Sequence, residues 1–134
     1  MSSEELQRSV VSRLRNDSGV VGVVGQRTYD LPPITPTFPY ITLGPDTTVP
    51  QRAECYEGDD VLLQIDAWSR TPGFQEVKRI AKTIRDALRD PDILDLEGYR
   101  LIDLFCEESR VVRDPDGLTS HAILTFRALT EPET

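Results

Sequence analysis

The stretch Tyr99–Leu129, YRLIDLFCEESRVVRDPDGLTSHAILTFRAL, decides the fold. Its two ends read as strands and its middle as the turn that joins them. In the first half, Leu101, Asp103, Phe105 and Glu107 fall on one face, and Ile102, Leu104 and Cys106 on the other. Apolar residues on both faces predict a central strand. At the tight turn DPDG, Pro115 suits the second position and Gly117 can take a positive φ. The second half then alternates again. His121, Ile123, Thr125 and Arg127 share one face; Ser120, Ala122, Leu124 and Phe126 share the other. The whole reads as a β-hairpin.

The same stretch holds Asp114, Asp116, Ser120 and the chain's one histidine, His121. A hydrolytic site is the first thought. Adjacent strand residues point to opposite faces, however, so Ser120 and His121 do not form a nucleophile and its base. Asp114 and Asp116 sit where short polar side chains bond their own backbone. Glu107 and Glu108 also face opposite ways, which removes a carboxylate pair. No catalytic residue is assigned.

Upstream, VLLQIDAWSR alternates strongly. Val61, Leu63, Ile65 and Ala67 lie on one face, Gln64, Asp66 and Trp68 on the other, and Thr71, Pro72 and Gly73 end the strand. Trp68 reads as the edge of the core or as an interface anchor. FQEVKRIAKTIRDALRD is a helix, with Phe74, Val77, Ala81, Ile84 and Leu88 in one stripe widened by Ile80 and Ala87. Lys78, Lys82, Arg85 and Arg89 form a basic stripe along one edge of that face, and Glu76, Asp86 and Asp90 fall on the far side. Such cations either lay their stems along the apolar face or meet an acidic partner.

A helix is expected from about Glu4 to Arg15, started by Ser2 or Ser3, with Ser2 and Glu5 at capping-box spacing. Asn16 or Asp17 can cap a second, short helical turn that Gly25 ends. The glycines of NDSGVVGVVG match no phosphate-binding loop. LPPITPTFP, with four prolines, is neither helix nor central strand, and YITLG reads as a short strand. Gly44 to Asp60 reads as a long irregular segment carrying Asp46, Glu54, Glu57, Asp59 and Asp60 against Arg52 alone. The expected fold class is α+β: a mainly antiparallel four-stranded sheet with helices packed on it, in the order α-α-β-β-α-β-β.

Bulk properties agree with one domain over residues 1–134, ending in a polar tail at 131–134. The net charge is −8, from 15 basic and 23 acidic residues, which disfavours a general nucleic-acid binder. It does not exclude a protein past which DNA slides. Cys55 and Cys106 read as free thiols, no metal-ligand spacing occurs, and no cofactor is expected. No run reaches the roughly 18 apolar residues of a membrane span, and the amphipathic start MSSEELQRSVVSRLR is unlike a secretory signal. NDS at Asn16 to Ser18 is a chance match to a glycosylation acceptor.

The ordered pieces VVGQRTYDLPP, FPYITLG, the WSR strand end, KRIAKTIRDAL and the closing RDPDG…H…L.FRAL hairpin together resemble a known family. It is that of the tail terminators, or tail-completion proteins, of long-tailed bacteriophages and phage-like gene transfer agents. The resemblance covers nearly the whole chain. It implies a tail-terminator-like domain without enzymatic activity, assembled in the bacterial host cytoplasm into the tail of a virion or phage-like particle. Such proteins form a ring, generally hexameric, on the head-proximal end of the tail tube. They stop tube growth and meet the connector of the head. The implied partners are further copies of the chain, the tube protein and the head-side connector, with DNA passing through the channel unbound. The basic stripe Lys78, Lys82, Arg85 and Arg89, together with Trp68, supplies the candidates for such a subunit contact. The acids from Asp46 to Asp60 either meet that basic stripe or line the channel. A small acidic adaptor for a basic partner is the competing reading.

Overall fold

The computed structural model describes residues 2–53, 56–90, 92 and 94–133. The chain runs α1 (Ser3–Asn16), α2 (Ser18–Val24), β1 (Thr28–Tyr29), β2 (Tyr40–Ala53), β3 (Tyr56–Ser69), α3 (Gln75–Ala87), β4 (Tyr99–Arg113) and β5 (Ser120–Pro132). The strands form one sheet in the order β1-β2-β3-β5-β4. All neighbours are antiparallel except β1 and β2, which are parallel. The α+β class holds, but the sheet is five-stranded and mixed rather than four-stranded. The added strand, β1, is two residues long, too short to carry a periodic signal.

The helices cover one sheet face. Leu6, Val10 and Leu14 of α1, Val20 and Val24 of α2, and Val77, Ile80 and Ile84 of α3 are all fully buried. They meet Ile41, Val61, Ile65, Ala122, Leu124 and Ala128 from the three inner strands. Each set repeats at the period of its element, so one face of every element is removed from water.

Three expectations change. First, the segment from Gly44 to Asp60 is ordered as strand for nearly all its length. Pairing runs from Asp46↔Leu63 to Ala53↔Tyr56, after a bulge between Leu43 and Asp46. Pro45 and Pro50 hid this strand from the sequence pattern. They are tolerated because β1 covers β2 only at Ile41 and Thr42, leaving the rest of β2 a free edge. Gly44 is required at the bulge, since a Cβ there would sit 2.8 Å from Asp66 Oδ2. Second, β4 is an edge strand, not a central one. Leu104 is buried against the helices, but Ile102, at a bulge, and Phe105, on the open sheet face, are left in water at 46% and 40% exposure. Third, Ser2 makes no capping box. Its hydroxyl instead meets Asp59 at 3.1 Å and Thr130 Oγ1 at 2.6 Å, tying the start of α1 to the sheet.

Other local readings hold. Asp17 caps α2, accepting from the Val20 amide at 3.1 Å, and Gly25 ends that helix at φ 60°. The hairpin turn closes through Gly117 N–H to Asp114 C=O at 3.0 Å, with Gly117 at φ 72°.

Candidate functional site

Three features invite a functional reading: the histidine cluster, the basic stripe on α3, and the acids of the β2–β3 hairpin.

His121 and Trp68 are directly paired across β3 and β5, and their rings stack at 3.7 Å between centroids. Tyr40, paired with Trp68 from β2, continues the stack at 6.1 Å. Trp68 Nε1–H donates to Thr42 Oγ1 at 3.0 Å. Trp68 is therefore engaged within its own chain, on the sheet face that the helices leave open. On the same face His121 Nε2 lies 2.8 Å from Asp66 Oδ1. A carboxylate only accepts, so Nε2 carries the hydrogen. Gln64 Nε2 also donates to both Asp66 oxygens, at 3.1 and 3.2 Å. Asp114 Oδ1 is 3.8 Å from Nδ1, too far for a hydrogen bond.

Ser120 is on the opposite face and donates to Gly73 C=O at 3.1 Å. The nucleophile and the base are thus separated by the sheet, as the alternation predicts. Asp116 accepts from the Leu118 and Thr119 amides at 2.8 and 2.9 Å. Those backbone hydrogen bonds, with one from the Thr119 hydroxyl, hold its carboxyl below the usual range. Asp116 is thereby accounted for without chemistry, whereas the Asp114 side chain faces the His121 ring at 3.8 Å instead of bonding its own backbone. The Asp66–His121 contact is what the sequence reading missed. Asp66 pairs with Ile123, so the two side chains are diagonal neighbours on different strands. Only the register reveals them.

The basic stripe is partly neutralised. Lys82 Nζ is 2.9 Å from Asp86 and Arg89 is 2.8 Å from the same carboxylate. Asp86 therefore lies among the cations, not on the far side, because i, i+3 and i+4 residues are neighbours on a helix. Its hydrogen bond from Lys82 keeps its carboxyl below the usual range. Lys78 and Arg85 are exposed and make no ion pair with the described residues. Arg85 and Arg89 instead rim a cleft of about 220 Å³ between α3 and β4, floored by Leu88, Leu104, Phe105, Cys106 and Phe126. Partial burial there raises the Cys106 thiol pKa, with Arg85 opposing.

The acidic group divides in two. Asp59 meets Ser2, and Asp60 receives a two-pronged contact from the Arg127 guanidinium. Those two acids serve the chain's own packing. Asp46 and Glu57 remain exposed. Glu54 and Cys55 lie outside the described residues. Among the described residues no group of three His, Cys, Asp or Glu side chains could hold a metal ion, and no helix is long and apolar enough to cross a membrane.

Residues 8–131 match the family described as "Tail completion protein gp17". The tail completion protein gp17 of Bacillus phage SPP1 is 24% identical over 127 residues, covering 95% of this chain and 92% of the relative. A chain from the virion of a native gene transfer agent particle superposes with a TM-score of 0.88 at 27% identity, covering 97% of both chains. The solved bacteriophage SPP1 gp17 protein shares the fold, with a TM-score of 0.63 at 23% identity over 94% of this chain and 88% of that one. With the family match reaching nearly from end to end, this protein belongs to the tail completion protein gp17 family.

Proposed function

We propose that the protein is a tail terminator: it caps the head-proximal end of a tail tube as a ring, stops tube growth and joins the tail to the head connector. The observation that carries this reading is the end-to-end likeness to a chain of an assembled gene transfer agent particle. Its role is structural. Its partners are further copies of itself, the tube protein and the head-side connector, and its place is in the tail of a virion or phage-like particle.

A closed ring needs two different patches that meet on neighbouring copies. Six copies at −8 each would carry about −48, which repels unless patches of opposite sign are matched. The cationic edge of α3 suits a subunit contact, with Lys78, Lys82, Arg85 and Arg89 as its charges. With Asp59 and Asp60 occupied within the chain, Asp46 and Glu57 suit the channel wall, where negative charge keeps passing DNA from adhering. Trp68, stacked on His121 yet only half-buried on the open sheet face, remains a candidate contact residue.

Electron microscopy of the protein mixed with its own tube protein tests this. The expected result is a cap of constant height on one end of each tube and a narrow length distribution. Bare tube ends at saturating protein would refute the reading.

A further inference from the structure

Two exposed apolar features stand at opposite edges of the sheet. Beyond β1, Leu31 is 87% exposed and Ile34 fully so, on a proline-rich segment that offers them no partner. Beyond β5, the free edge of β4 and the C-terminal half of α3 frame the cleft of Leu88, Leu104, Phe105, Cys106 and Phe126. Exposed side chains of this kind mark contact sites more often than accident when they are grouped. The two features also differ in sign. Asp30, exposed and without an ion pair among the described residues, precedes Leu31, whereas Arg85 and Arg89 rim the cleft.

Register sets their relative height. Tyr29 pairs in parallel with Thr42, so the chain leaves β1 travelling the same way as β2. Thr47 of β2 lies in one cross-sheet row with Leu62, Arg127 and Phe105. Tyr29 is level with Asp66 and the Phe105 row with Leu62, four residues or roughly 13 Å apart along β3. A segment at one edge and a cleft at the other can join copies side by side.

We propose that the Asp30–Ile34 segment of one copy docks in the α3–β4 cleft of the next, with Ile34 and Leu31 entering the apolar floor and Asp30 facing Arg85. This deepens the ring reading above and rests on it. The contact is heterologous, using different patches on the two copies, so it propagates around a ring instead of stopping at a dimer. It also covers Phe105, which no described element of the same chain covers.

Cys106 lines the cleft and provides the test. In a Cys55→Ser background, Ile34→Cys is oxidised with diamide on tube ends and in concentrated protein alone. A disulfide forms only when the two Cα atoms come within about 7 Å. The expected result is a non-reducing gel ladder running beyond dimer, absent when Cys106→Ser is added. In parallel, Asp30→Arg lowers the capped fraction of tubes by ~10-fold, and Asp30→Arg with Arg85→Asp restores it. Capped tubes without the ladder would overturn the docking and leave the terminator reading standing. A product that stops at dimer would overturn it as well. If the wild-type protein caps no tubes, the terminator reading fails, and the soluble arm decides the docking alone: a ladder supports it and its absence refutes it. Ile34 is fully exposed and Cys106 is native, so folding of the variant is not at issue.

Discussion

Replacing Asp66 by alanine tests whether the histidine cluster is a structural clasp. The substitution removes the acceptor of His121 Nε2–H at 2.8 Å and of both Gln64 hydrogen bonds. Gln64 is only half-buried, so water can replace its lost partner. His121 is not so free: its side chain is 14% exposed and covered by Trp68. A buried donor left unsatisfied costs about 1–3 kcal/mol. Asp66→Ala should therefore destabilise by about 1–3 kcal/mol. For a chain of this size that lowers the unfolding midpoint by roughly 3–12 °C. Asp66→Asn keeps one oxygen acceptor and should cost about half as much, because a bond to a charged group is about twice as strong as a neutral one.

The decisive assay is a double-mutant cycle. Asp66→Ala, His121→Phe and the double variant are unfolded in urea at pH 7. Phenylalanine retains the flat ring against Trp68 and removes only the polar contact. A coupling energy of about 1–2 kcal/mol is expected for a direct buried hydrogen bond. A coupling below about 0.5 kcal/mol would refute the clasp. The same variants should cap tubes normally once folded, since no chemistry is assigned to them. Loss of capping by a stably folded His121→Phe would mean that the cluster takes part in assembly.

Other outcomes follow from the same geometry. Phe126→Ala empties the largest fully buried side chain of β5 and should cost about 3–5 kcal/mol in urea unfolding. Asp116 has a lowered carboxyl pKa in the folded state, so its stabilisation is complete above the unfolded value near 3.8 and is lost as pH falls through the folded one. The stability gap between wild type and Asp116→Asn should therefore be open at pH 5 and narrow toward pH 2; a gap unchanged by pH would remove the turn from this account. Lys82→Glu with Arg85→Glu should reduce capping of tubes while lowering the urea midpoint only slightly, because the Lys82–Asp86 pair that it breaks is exposed. Normal caps at low and high salt would eliminate the cationic edge of α3 as a contact.

What was legible in the sequence was whatever depends on local repetition. The α3 stripe predicted all six residues that are buried, from Val77 to Leu88, because a helix one turn long already repeats its face. The turn at Asp114–Gly117 was legible because its residues act on their own backbone. Pairing partners were not. Nothing local states that Asp66 and His121 lie two residues apart in register, since that contact exists only after β3 and β5 align. The reach of β2 beyond Gly44 was hidden by Pro45 and Pro50, which break strands in general yet are tolerated at this edge. Site reading was similarly divided. The cations of α3 do line one edge of the helix, but Asp86 sits among them instead of on the far side, and of the four described acids Asp59 and Asp60 are engaged within the chain.

The error over β4 is the most informative of these. Apolar residues on both faces state that both faces are to be covered; they do not state by which chain. A central strand satisfies that pattern within one molecule. An edge strand satisfies it only through a partner, and edge strands left bare are a hazard that proteins otherwise suppress with charge or proline. The open edge of β4 does carry charge, at Arg100, Asp103, Glu107 and Glu108, yet it keeps Ile102 and Phe105 in water. In a monomeric protein that combination is a liability without a return. In one whose relatives are parts of assembled particles, it is the expected state of a subunit before its neighbour arrives. The central-strand reading was wrong for this chain, and the docking proposed above is what would supply the cover that the apolar pattern asks for.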